Sequence, residues 1–135
     1  VEKGASILYG KLPDKIESAF FPPMVLGNLT PEMPAFSEEL FGPVACFYKV
    51  RDENEAIAIA NNSPFGLGGS VWTTDIEKGK RVASRVESGA VYINKMMASD
   101  PTVPFGGIKK SGYGRELSHL GIREFVNQKT VWIGE

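Results

Sequence analysis

GGSVWTTDIEKGKRVASRVESGAVYIN, residues 68–94, carries the pattern that decides the fold. Its two ends, residues 68–72 and 90–94, read as short buried strands. Between them Thr73-Thr74-Asp75 reads as a helix cap. Ile76, Gly79, Val82, Ala83 and Val86 then recur at steps of three and four residues to about Glu87, which puts them on one helix face. Gly89 is expected to end that helix in a left-handed turn. A crossing of this length between two strands favours parallel pairing, so the stretch predicts a strand–helix–strand unit of an α/β protein.

The pattern extends in both directions. Upstream, residues 44–50 read as a mostly buried strand that ends at Arg51. Asp52, with Glu55 three residues on, supplies an N-cap and a first-turn carboxylate for a helix running to about Asn62. Ala56, Ile57 and Ala60 form its expected packing stripe, and Asn61-Asn62-Ser63-Pro64 stops it. Further upstream, Ala19-Phe20-Phe21 reads as a strand broken by Pro22-Pro23 and resumed at Met24-Val25-Leu26. Residues 29–36 form a proline-rich loop. At the other end, residues 124–133 read as a terminal strand with Val131 and Ile133 on one face and Trp132 on the other; such a strand wants an edge to pair with. The whole reads as one α/β unit, a mostly parallel sheet with flanking helices. No repeat, linker or low-complexity run divides it.

Composition excludes several classes. The 135 residues are 42% hydrophobic and 23% charged, with a formal net charge of −1. That length suffices for one domain with a real core. A near-zero charge gives no field to draw in nucleic acid or an anionic membrane, and no apolar run reaches the roughly 18 residues of a membrane span. Val1-Glu2-Lys3-Gly4 reads as neither a signal peptide nor a natural translation start, so a cut or engineered end is expected. The single cysteine, Cys46, allows no intrachain disulfide, and a reducing cytoplasm is the simplest compartment. Cys46 lies inside an apolar strand pattern with no local base to lower its pKa, which reads as a small core hydrophobe. His119, the only histidine, has no second ligand for a metal and no positioned acid for a triad with Ser111 or Ser118.

Two further segments carry chemistry. In Glu38-Glu39-Leu40-Phe41-Gly42-Pro43, a loop carboxylate could accept hydrogen bonds from vicinal ribose hydroxyls, and a ring two residues on could pack against a sugar or flat ring. The plainer alternative makes Glu38 and Glu39 solvated charges and Phe41 a core plug before a turn. In residues 104–116, Pro-Phe-Gly-Gly-Ile-Lys-Lys-Ser-Gly-Tyr-Gly-Arg-Glu, the glycines Gly106, Gly107, Gly112 and Gly114 suggest a phosphate cradle. The order is wrong for one, because Lys110-Ser111 precedes Gly112. Residues 66–71 likewise lack the last glycine of a dinucleotide fingerprint.

In this order and at this separation, the two segments resemble the C-terminal part of the aldehyde dehydrogenase family. The resemblance covers nearly the whole chain. It implies an enzyme that oxidises aldehydes to acids with NAD or NADP, in which a cysteine thiolate attacks the aldehyde and a glutamate activates water. Both those residues and the dinucleotide-binding half lie upstream of these motifs in the family, so the chain is expected to be a fragment without catalytic residues. The matching positions place Glu39 on the nicotinamide-side ribose, Phe41 beside it, and Phe105 in the aldehyde tunnel. They make the glycine-rich run chiefly structural. Ser99, five residues after Asn94, is similar in position to a serine that binds the distal carboxylate in enzymes acting on succinate semialdehyde. Lys95, Met96 and Met97 are bulkier than in many relatives. The resemblance implies residues 1–127 as part of a catalytic domain, residues 128–135 as an oligomerisation strand, and a homodimer or homotetramer completed by the remainder of the enzyme. A free-standing, non-catalytic interaction domain is the alternative reading.

Overall fold

The computed structural model describes residues 1–16 and 18–135. The chain order is β1 (Ser6–Tyr9), β2 (Met24–Gly27), α1 (Pro34–Ser37), β3 (Val44–Cys46), α2 (Glu53–Asn61), β4 (Phe65–Gly66), β5 (Gly68–Val71), α3 (Ile76–Ala83), β6 (Ala90–Ile93), β7 (Ile108–Lys109) and α4 (Ser118–Arg123). The α/β class holds. The strands fall into three small sheets, ordered β1-β2-β3, β4-β7 and β5-β6. Pairing is parallel in β2–β3 and β5–β6, and antiparallel in β1–β2 and β4–β7. Instead of one unit there are two compact ones, Val1–Arg51 and Asp52–Glu135.

In the first unit β2 is the central strand. Met24, Val25 and Leu26 face Val44, Ala45 and Cys46 across the parallel ladder, while β1 takes the other edge. Met24 and Leu26, two residues apart, project to one face and are buried with Ala5 and Met33. Leu8 packs over Gly27, where a Cβ would lie 2.6 Å from a Leu8 methyl and the leucine would have to move aside. Residues 19–21 form no strand. Both edges of β2 are occupied, one by β1, which the sequence pattern did not disclose, and Pro22 and Pro23 have no N–H to offer a ladder. β3 is shorter than expected because β2 stops at Gly27 and Asn28 turns to φ 53°; one further bond, Phe47 N–H to the Leu26 carbonyl at 2.8 Å, closes the pairing.

The second unit contains the expected strand–helix–strand crossing. β5 pairs parallel with β6 over Gly68↔Ala90 to Val71↔Ile93. Both helix starts are capped as the sequence predicts: Asp52 accepts from the Glu55 amide and Asp75 from the Lys78 amide, each at 2.9 Å. On α2 Ile57 is buried as expected and Glu53, Glu55, Ile59 and Asn61 are half-buried, whereas Ala56 and Ala60 are exposed. Asn61 is held inward because its side chain donates to the Arg85 carbonyl and accepts from the Glu87 amide, both at 2.8 Å. α3 ends at Ala83, earlier than expected. Gly89 does not have positive φ. Its lack of a side chain serves packing, since a Cβ would run into the Gly106 carbonyl. Residues 124–133 form no strand within this chain, and Val131, Trp132 and Ile133 are 75%, 88% and 89% exposed.

Candidate functional site

Glu39 and Phe41 sit in the loop between α1 and β3. The helix closes when the Glu38 amide bonds back to the Pro34 carbonyl at 2.8 Å, with Glu38 itself extended at φ −92°, ψ 148°. Three tight three-residue turns follow, the last from the Val44 amide to the Gly42 carbonyl at 2.8 Å. The Phe41 amide donates to the Glu39 carbonyl at 3.1 Å, and the Gly42 amide to the Leu40 carbonyl at 2.7 Å. The backbone is thereby organised by its own bonds, leaving both side chains free. Glu39 is exposed, and among the described residues its carboxylate has no hydrogen-bond or ion-pair partner. Phe41 is 94% exposed. It is no core plug. With Phe20, Phe21, Leu40, Pro43 and Val44 it borders a cleft of about 550 Å³ within the first unit.

Ser99 is exposed on the loop that follows β6. The loop is tied down on both sides of it. The Tyr92 hydroxyl donates to the Ala98 carbonyl at 2.7 Å, and Asp100 accepts from the Thr102 amide at 2.9 Å and the Thr102 hydroxyl at 2.6 Å. The hydroxyl and then the amide of Thr102 hold the Asp100 carboxyl below the usual aspartate range. Met97 is half-buried against Gly68 and Met96 is 71% exposed, so of the bulky residues expected near the substrate one is packed into the unit itself. Phe105 is half-buried at the base of the glycine-rich segment, exchanging backbone bonds of 2.9 and 2.8 Å with Glu116.

The glycine-rich segment is a scaffold whose polar side chains bond other parts of the chain. Lys109 Nζ donates to the Asn61 and Ser63 carbonyls at 2.9 and 3.2 Å and lies 2.8 Å from Glu87 Oε2. Ser111 Oγ accepts from the Gly66 amide at 3.0 Å, and Arg115 reaches the Gly107 and Gly114 carbonyls at 3.0 and 2.6 Å. Gly106, Gly112 and Gly114 all take positive φ. The roles of Lys109, Asn61 and Tyr92 escape sequence reasoning, because their partners, mostly backbone groups, are brought close only by the fold.

Cys46 is half-buried with its thiol 3.4 Å from the Ala35 carbonyl, and burial pushes its pKa up. A thiolate nucleophile needs the opposite shift. His119 is exposed, and among the described residues no group of three or more histidine, cysteine or carboxylate side chains could hold a metal. No helix among them is long and apolar enough to cross a membrane.

The geometry defines an α/β chain with uncommitted acid, ring and hydroxyl groups on two loops and a glycine-rich scaffold. The chain belongs to the aldehyde dehydrogenase family, whose profile matches residues 1–131. It is 50% identical over 131 residues to a succinate-semialdehyde dehydrogenase [NADP(+)] of Deinococcus radiodurans, covering 97% of this chain and 28% of that protein. It is also 50% identical over 132 residues to succinate semialdehyde dehydrogenase [NAD(P)+] Sad of Escherichia coli, covering 96% and 28%. A crystal structure of succinic semialdehyde dehydrogenase from Streptococcus pyogenes with NADP+ superposes with a TM-score of 0.91 at 43% identity, covering 99% of this chain and 30% of that one. An aldehyde dehydrogenase of Mycobacterium tuberculosis complexed with NAD+ gives 0.87 at 41%, covering 98% and 28%. The chain thus spans less than a third of the length of these relatives.

Proposed function

We propose that this chain is the C-terminal part of the catalytic domain of an NAD(P)-dependent aldehyde dehydrogenase acting on succinate semialdehyde. The observation that carries the reading is the Glu39–Phe41 loop: an exposed, unpartnered carboxylate two residues before a phenylalanine left 94% exposed. The ring is open to a ligand that brings a sugar or a flat face against it. The donor set fits a ribose, since an ionised carboxylate accepts hydrogen bonds from two vicinal hydroxyls. NAD or NADP, when bound, supplies the hydride acceptor. Glu39 holds and orients the sugar, and Phe41 backs it.

Ser99 meets the distal carboxylate of the aldehyde, and Phe105 lines its approach. Residues 1–127 belong to the catalytic domain. Residues 128–135 pair with a second copy in a cytoplasmic homodimer or homotetramer, which would cover Val131, Trp132 and Ile133. The nucleophile comes from the remainder of the enzyme, because Cys46 is half-buried with its pKa raised. In an intact enzyme containing this segment, Glu39→Gln should slow hydride transfer about tenfold or more, the worth of a charge-assisted bond, with a smaller effect on aldehyde affinity. Single-turnover kinetics in which aldehyde binding weakens while the hydride step is unchanged would remove Glu39 from this role.

A further inference from the structure

We propose that Tyr92 is a positioning residue for substrate recognition: its hydroxyl fixes the peptide that precedes Ser99 and so aims Ser99 at the acidic end of the aldehyde. The inference rests on the reading of Ser99 given above. Tyr92 stands on β6, opposite Ser70 in the parallel pair, so its ring is mounted on a strand and not on another loop. From there the phenol donates to the Ala98 carbonyl at 2.7 Å. That carbonyl belongs to the peptide linking Ala98 to Ser99, and among the described residues no peptide bond is cis. A trans peptide is planar, so fixing the carbonyl also fixes the Ser99 N–H in the opposite direction.

The neighbouring anchors make this single bond decisive. One residue earlier, Met97 lies against Gly68, where any Cβ would run into its sulfur. Beyond Ser99, the Asp100–Thr102 bonds and the Ser118 amide, which donates to the Pro101 carbonyl at 3.0 Å, hold the chain. Ser99, exposed like Ala98 and Asp100 beside it, lies between two secured stretches. Without the phenol, the 98–99 peptide can rotate between them.

The test compares Tyr92→Phe, Ser99→Ala and the double variant in the intact enzyme, with succinate semialdehyde and with butanal, an uncharged aldehyde of equal length. Tyr92→Phe should raise KM for the acidic substrate about three- to tenfold, the worth of one neutral hydrogen bond, leaving kcat and the butanal KM within about twofold. The double variant should be no worse than Ser99→Ala. Equal losses on both aldehydes, or additive losses in the double variant, would overturn the proposal. If Ser99→Ala discriminates between the aldehydes and Tyr92→Phe does not, only the role of Tyr92 falls. If Ser99→Ala does not discriminate, the reading of Ser99 fails and takes Tyr92 with it.

Discussion

At Gly89 the absent side chain matters for the space it leaves. A Cβ would occupy the position of the Gly106 carbonyl and crowd Gly107, so Gly89 lets the start of β6 and the glycine-rich segment touch backbone to backbone. The prediction is that Gly89→Ala destabilises the intact enzyme by at least about 1–3 kcal/mol, as overpacking does, although its φ is open to any residue. An unchanged denaturation midpoint would refute it. Asn94 is a second case. At φ 54° it leaves the strand, and its amide donates to the Thr73 carbonyl at 2.7 Å and accepts from the Thr73 amide at 2.8 Å, continuing the ladder with a side chain. The sequence marks Gly89 as special but reads Asn94 as an ordinary strand residue. It misassigns Gly89 to a turn because the contact that excludes a side chain comes from residues seventeen positions away.

The starts of α2 and α3 were legible. Each rests on a local aspartate three residues before the amide it caps, and local geometry does not wait for the tertiary structure. The short helices α1 and α4 begin without a side-chain cap, and the sequence pattern did not disclose them. Asp52→Ala and Asp75→Ala should each cost about 1 kcal/mol in urea unfolding, and asparagine at either position should restore most of it. Equal stability of the alanine and asparagine variants would show that the caps contribute nothing. Helix faces and ends were less legible. Asn61 turns α2 inward through bonds to residues beyond α3, and Glu53 lies 3.5 Å from Lys78 and 3.8 Å from Arg85 of the same unit. Exposed ion pairs of this kind add at most a few tenths of a kcal/mol, so the paired amide of Asn61 governs the face.

For the whole chain, the α/β class and the parallel β5–β6 crossing follow from periodicity, whereas the division at Arg51 and Asp52 does not. Periodicity records which residues seek burial, not which partner buries them. The same blindness applies to the end of the chain, where residues 124–133 have strand composition but no edge to join. The isolated chain should therefore self-associate through this segment, with a scattering mass above its 14.7 kDa monomer that falls when residues 130–135 are removed. A monomer at high concentration, unaltered by the truncation, would exclude that role. Of the candidate site, the identity of the loop residues was legible from the motifs. The bonds that shape those loops, at Tyr92 and Thr102, were not.

Lys109 turns a long, flexible side chain into a strut. Its ammonium bonds the Asn61 and Ser63 carbonyls and lies 2.8 Å from the Glu87 carboxylate. One cation thereby pins β7 to two stretches distant from it in sequence, and Lys109→Met, which keeps the stem and removes the charge, would release both at once.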